Sequence, residues 1–143
     1  MNETILGFGY PLTLVRDYAH WLVLLRPTQP TLGSLIVAAK SDATDFAALP
    51  GEAFAELATV TDDVERALKA AVDYARINWL MLMMVDPHVH FHVLPRYEGS
   101  RTHAALEIAD AGWPKLPDLA SAVTLDDTQR GEMVRWLRGY FPS

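Results

Sequence analysis

Three of the chain's five histidines fall within five positions, in His88-Val89-His90-Phe91-His92. Side chains alternate across a strand, so in an extended segment all three imidazoles leave one face, and Val89, Phe91 and Val93 leave the other. Three imidazoles in a row make poor core material, because each buried ring must find partners for its nitrogens or bear a desolvation cost. Two chemistries are open to such a row. Two histidines at i and i+2 could share a zinc ion at ~2.0–2.1 Å per bond, with Asp86, His20 or His103 as a further ligand. The outer pair spans ~13 Å at ~3.3 Å per residue, so zinc would recruit only two of the three. Alternatively, a neutral imidazole attacks an electrophilic phosphorus and holds the phosphoryl group as a covalent intermediate, while its neighbours orient the phosphate and move protons near neutral pH. That chemistry uses all three.

The elements that must position this row are readable from pattern. Leu12 to Val15, Trp21 to Leu25 and Leu35 to Ala39 are short apolar runs bounded by turn residues, and they predict strands. Arg16-Asp17-Tyr18 reads as a turn, and Pro27 and Pro30 mark a loop. Pro50-Gly51-Glu52 opens a helix whose apolar positions, Phe54, Leu57, Val64, Leu68 and Val72 among them, approximate a 3.6-residue stripe to about Ala75. Asn78 to Met84 and His88 to Leu94 predict two further strands, broken by Asp86-Pro87 and joined too tightly for anything but an antiparallel hairpin. Leu106 to Ile108 predicts a short strand. A last helix opens at Leu125-Asp126-Asp127, with Thr124 or Asp126 as its cap, and carries Met133, Val134, Leu137 and Tyr140. The order describes an α+β fold: an antiparallel sheet of about five strands with one long central helix and a C-terminal helix. One domain over residues 1–143 is expected, with a motif-bearing core at about 12–96 and a C-terminal extension at 97–143.

Composition bounds the function. The chain has 143 residues, half of them apolar, enough for a core without cross-links. It has no cysteine, which excludes disulfides and thiolate metal sites and suits a cytoplasmic location. Met1 to Tyr10 has no basic start or long apolar run, so no signal peptide is expected. The apolar stretch Trp79 to Val85 falls well short of the ~20 residues a membrane helix needs. Eighteen acidic residues against 12 basic ones give a net charge of −6 and no basic stripe, which argues against a nucleic-acid partner. A small anion remains compatible with a few local donors. Arg96, Arg101 and His103 follow the histidine run, either as such donors or as a solvated loop.

His88-Val89-His90-Phe91-His92-Val93-Leu94 resembles the histidine-triad signature, in which histidines alternate with apolar residues. The likeness extends more weakly over about Leu12 to Arg96, and Pro95-Arg96 is similar to the fragile-histidine-triad and related branches. The resemblance implies a nucleotide hydrolase or transferase acting on the α-phosphate of an ester, anhydride or phosphoramidate, with a small-molecule nucleotide as ligand and no metal or other cofactor. It also implies a homodimer built by joining two sheets. Carried onto this motif, His90 is the nucleophile that forms a nucleotidyl-histidine, His92 binds the phosphate, and His88 supports and positions the nucleophilic ring. The other ring nitrogen of His90 is expected to donate to a backbone carbonyl.

The chain departs from that pattern at three places. A polar Gly-Gln-x-Val-type segment often precedes the first histidine, whereas Met83-Met84-Val85-Asp86-Pro87 is apolar but for Asp86, which leaves Asp86 or a distant group to serve the leaving group. Ser34, after Gly33, stands where a further histidine is common. Arg26 stands where an acidic residue often holds the ribose, and it is either a surface residue at a strand end or a ligand for an additional phosphate or carboxylate. Arg96, Arg26, Ser34 and Asp86 are therefore the expected substrate contacts. Asn78 is expected as a turn or edge residue, Trp21 in the core, and Trp113-Pro114 in a packed loop. A nucleotide-binding module without turnover is the competing reading.

Overall fold

The computed structural model describes residues 1–143. Five strands, β1 (Leu14–Asp17), β2 (Trp21–Leu25), β4 (Leu35–Ala39), β5 (Arg76–Leu80) and β6 (His90–Arg96), form one sheet in the order β1-β2-β4-β6-β5, and every neighbouring pair is antiparallel. Two short pairs stand outside it. β3 (Thr28–Gln29) meets β9 (Val123–Thr124), and β7 (Ser100–His103) meets β8 (Leu106–Ala109). The helices are α1 (Glu3–Gly7), α2 (Gly51–Val72) and α3 (Asp127–Arg138). The expected α+β architecture is present. No helix is long and apolar enough to cross a membrane.

The two middle strands explain the layering. Every residue of β2 (Trp-Leu-Val-Leu-Leu) and β4 (Leu-Ile-Val-Ala-Ala) is buried, so both faces of the sheet need a cover. On one face Trp21, Val23, Leu25, Leu35 and Val37 join α2 through Val60, Val64 and Leu68, and α3 through Met133, Val134 and Leu137, in a single core. Trp21 belongs to this core, as expected, and its indole N–H donates to the Ala53 carbonyl at 2.8 Å. On the other face Leu22, Leu24, Ile36 and Ala38 pack against Ile5 of α1, with Phe8 and Tyr10 alongside. Asn2 pins this cover. Its Oδ1 caps α1 by accepting from the Ile5 amide at 2.9 Å, and its Nδ2 donates to the Ala39 and Ser41 carbonyls.

Several boundaries shift from those expected. The long helix stops at Val72 because Asp73 turns left-handed, at φ 52°, and caps it through the Lys69 carbonyl. Asp126, not Thr124, caps α3, in a reciprocal capping box with Gln129. The tight turn in the histidine hairpin is absent. β5 ends at Leu80 and β6 begins at His90, leaving 81–89 as a loop. The reason is pairing: β6 starts where His90 meets Ala38, near the end of β4, and Leu80 opposite His92 is the last pair with β5. Beyond it, Met84 and Val85 are 85% and 92% exposed and no longer alternate. His88 therefore lies in the loop, not on the strand.

Candidate active site

With His88 displaced, the row becomes two strand histidines and one loop histidine whose backbone carbonyl is hydrogen-bonded to His90. His90 Nδ1 lies 2.7 Å from the His88 carbonyl oxygen. A carbonyl only accepts, so Nδ1 carries a proton, and in the neutral ring the lone pair is on Nε2. His88 is itself held, with Nδ1 2.9 Å from the Thr4 hydroxyl of α1. His92 has the opposite arrangement. Its Nδ1 lies 3.3 Å from Arg26 Nε, and a guanidinium only donates, so Nδ1 accepts and the ring proton sits on Nε2. The two rings stand edge to face, 5.1 Å between centroids, with Phe8 packed 5.4 Å from His90 and 6.0 Å from His92. A nucleophile-type nitrogen and a donor-type N–H thus sit side by side.

Both rings are nearly buried, His90 at 2% and His92 at 8% exposure. A cleft of about 180 Å³ opens beside them, walled by loop residues 82–86, so Asp86 shares the cleft with His90 and His92. Burial first, then the Arg26 charge and then His90, push His92 down to about 4. His92 is therefore neutral at neutral pH, the state in which it can accept from Arg26.

This shift carries a stability consequence. His92 takes up a proton less readily folded than unfolded, so the unfolded chain binds more protons between the ordinary histidine value and about pH 4. Its contribution is fully present above the unfolded value and is lost as pH falls through that window. The melting temperature of His92→Gln is expected to fall less steeply than that of wild type on acidification. Parallel curves for the two proteins would refute this.

The expected substrate contacts divide. Arg26, at the end of β2, reaches the site: its partners are His92 and, through Nη1, the Thr28 carbonyl at 2.8 Å and the Thr28 hydroxyl, rather than a carboxylate. Asp86 lines the cleft. Ser34 does not offer its side chain there. It is fully buried, and its hydroxyl donates to the Thr31 carbonyl at 2.7 Å and contacts the Thr31 hydroxyl at 3.0 Å, closing the turn before β4. Arg96 is likewise committed elsewhere. Its guanidinium pairs with both Asp110 oxygens at 2.7 and 3.1 Å and also donates to Asn78 Oδ1 and the Lys115 carbonyl.

Residues near Arg96 follow it. Asn78, on edge strand β5, serves Arg96, and Trp113-Pro114 lines a separate groove of about 250 Å³ with both. Arg101 donates to the Val72 and Asp73 carbonyls at the end of α2, and His103 stacks on Trp136 at 3.9 Å. His103 is thus remote from the triad as a zinc ligand. No three His, Asp or Glu side chains are grouped to hold a metal ion. Sequence reasoning missed Thr4 and Phe8; the available signal was Asn2 before Glu3, a cap with an acid in the first turn.

A HIT domain model matches residues 14–99. Among solved structures, a histidine triad protein from Sinorhizobium meliloti 1021 is similar at 20% identity and TM-score 0.75, over 99% of this chain and 96% of that one. One from Marinobacter aquaeolei VT8 is similar at 18% identity and TM-score 0.74, over 99% and 94%. A zinc-bound histidine triad family protein from Mycobacterium smegmatis is similar at 22% identity and TM-score 0.63, over 95% and 88%. No curated protein matches the chain.

Proposed function

The chain belongs to the HIT family, and from that premise we propose that it is a nucleotide hydrolase or transferase that works through a covalent nucleotidyl-histidine on His90. The observation that carries this reading is the opposed pair of Nδ1 contacts, His90 to the acceptor carbonyl of His88 and His92 to the donor Nε of Arg26. His90 Nε2, with its lone pair free, attacks the α-phosphorus; a nitrogen–phosphorus bond forms and the bond to the leaving group breaks. The Nδ1–H bond to the His88 carbonyl persists and supports the positive charge that develops on the ring. His92 Nε2–H donates to a non-bridging oxygen, and the nearby Arg26 cation lowers the energy of the charge gathering there. Asp86, in the cleft wall, passes a proton from water to the departing group. The hydroxide left by that transfer then attacks phosphorus, the nitrogen–phosphorus bond breaks, and a nucleoside monophosphate leaves with neutral His90 restored.

The test is release of nucleoside monophosphate from adenosine and guanosine phosphoramidates, dinucleoside polyphosphates and adenylylsulfate. Turnover of at least one is expected, and its leaving group identifies the substrate class. A second reading, nucleotide binding without turnover, is favoured by one observation: Leu82, Met84 and Val85 line or flank the cleft with apolar, exposed side chains that offer no donor to a leaving group. A nucleotide that raises the melting temperature without being cleaved would decide for it. The family premise also implies a homodimer formed by joining sheets, for which β1 and β5 provide the two unpaired edges of the main sheet.

A further inference from the structure

We propose that Arg26 is a positioning residue that locks the ring proton of His92 on Nε2, so that His92 always meets the substrate as a neutral donor. The inference rests on the phosphoryl-transfer reading for its catalytic consequence, but its structural content stands apart from it. A neutral imidazole has two tautomers, and its neighbours select one. Around His92 the facing groups are few. Its cross-strand partners, Ile36 on β4 and Leu80 on β5, carry no polar atoms on their side chains. Just after α1 comes Phe8, its C-cap residue, and the helix's charged residue, Glu3, is exposed. His90 on β6 and Asp86 from the loop are the other titratable groups that share the cleft. Arg26 Nε is the hydrogen-bond partner of Nδ1.

Arg26 is itself rigidly held, as such a role requires. Its amide donates to the Ser34 carbonyl at 3.0 Å, its carbonyl accepts from Gln29 Nε2 at 2.7 Å, and Nη1 binds Thr28. Gln29 Nε2 also donates to the Ser34 carbonyl. Ser34 and Gln29 thus act at a distance from the cleft, by fixing the backbone that aims the guanidinium. Protonating His92 would place a second donor on Nδ1, facing Arg26 Nε at 3.3 Å, and the contact would have to break. The same cation therefore selects the tautomer and opposes a charge on the ring, consistent with the depressed titration of His92.

Nitrogen-15 NMR of the imidazole side chains tests this with no substrate present. In wild type, His92 is expected to show a protonated Nε2 and an unprotonated Nδ1 at pH 7, and to stay so as the pH is lowered toward 4. In Arg26→Met the signals should move toward a tautomer mixture and the titration midpoint should rise, while staying below the ordinary histidine value because burial, the larger cause, remains. With a turned-over substrate, the acid limb of kcat/KM should move up with it. A wild-type His92 protonated on Nδ1 would overturn the proposal even if the variant failed to fold. So would an Arg26→Met spectrum identical to wild type. Absence of turnover with every substrate would refute the phosphoryl-transfer reading and leave the NMR result standing.

Discussion

Replacing His90 by alanine is expected to lower nucleoside monophosphate release by roughly 10³-fold or more, because it removes the atom that bonds to phosphorus. His92→Ala deletes one donor to the phosphate and is expected to cost about 10²–10³-fold. His88→Ala keeps the backbone carbonyl that orients His90 and should cost least of the three, since that carbonyl, not the imidazole, receives Nδ1–H. Rapid quenching of wild type during turnover, followed by peptide mass analysis, should find the nucleotidyl group on the peptide that contains His90. Because His90 is nearly buried beside Phe8, the variant's melting temperature must be measured with its rate. A folded His90→Ala protein that retains wild-type turnover would end the nucleophile assignment.

Asp110→Ala is expected to destabilise the fold by about 3–5 kcal/mol, the cost of leaving one member of a buried ion pair without its partner. The side chains of Arg96 and Asp110 are only 4% and 1% exposed, and they meet through two hydrogen bonds. Asp110 also accepts from the Tyr97 amide at 3.2 Å and the Gly112 amide at 3.3 Å, so its loss strands four N–H donors from three residues together. Denaturant unfolding reads the effect as a fall in the midpoint at unchanged slope. Steady-state kinetics of the folded fraction separates this role from substrate binding. With Arg96 serving the strand end and the Lys115 turn, KM should stay at its wild-type value. A large rise in KM with little loss of stability would return Arg96 to the substrate site.

The strands, the long helix and the shared face of His90 and His92 are legible in the sequence because each depends on a local period, whereas the placing of His88 on that strand is not. Burial on both faces writes itself as unbroken apolar runs in β2 and β4, and a helix packed on one side writes itself as the stripe of α2. The hydrogen bond from His90 to a backbone carbonyl is what the family resemblance implies, and the fold supplies its acceptor two residues away, at His88. What the sequence by itself determined is which residues alternate and hence which can share a face. Which of them share the site was decided only by tertiary structure. Arg26 meets His92 across 66 residues, Thr4 meets His88 across 84, and Arg96 turns to Asp110 across 14. Two arginines of the same chemistry have opposite fates because one finds a buried carboxylate and the other an imidazole. That choice depends on which partner the folded sheet brings within three ångströms or so, a non-local quantity that no spacing along the chain encodes.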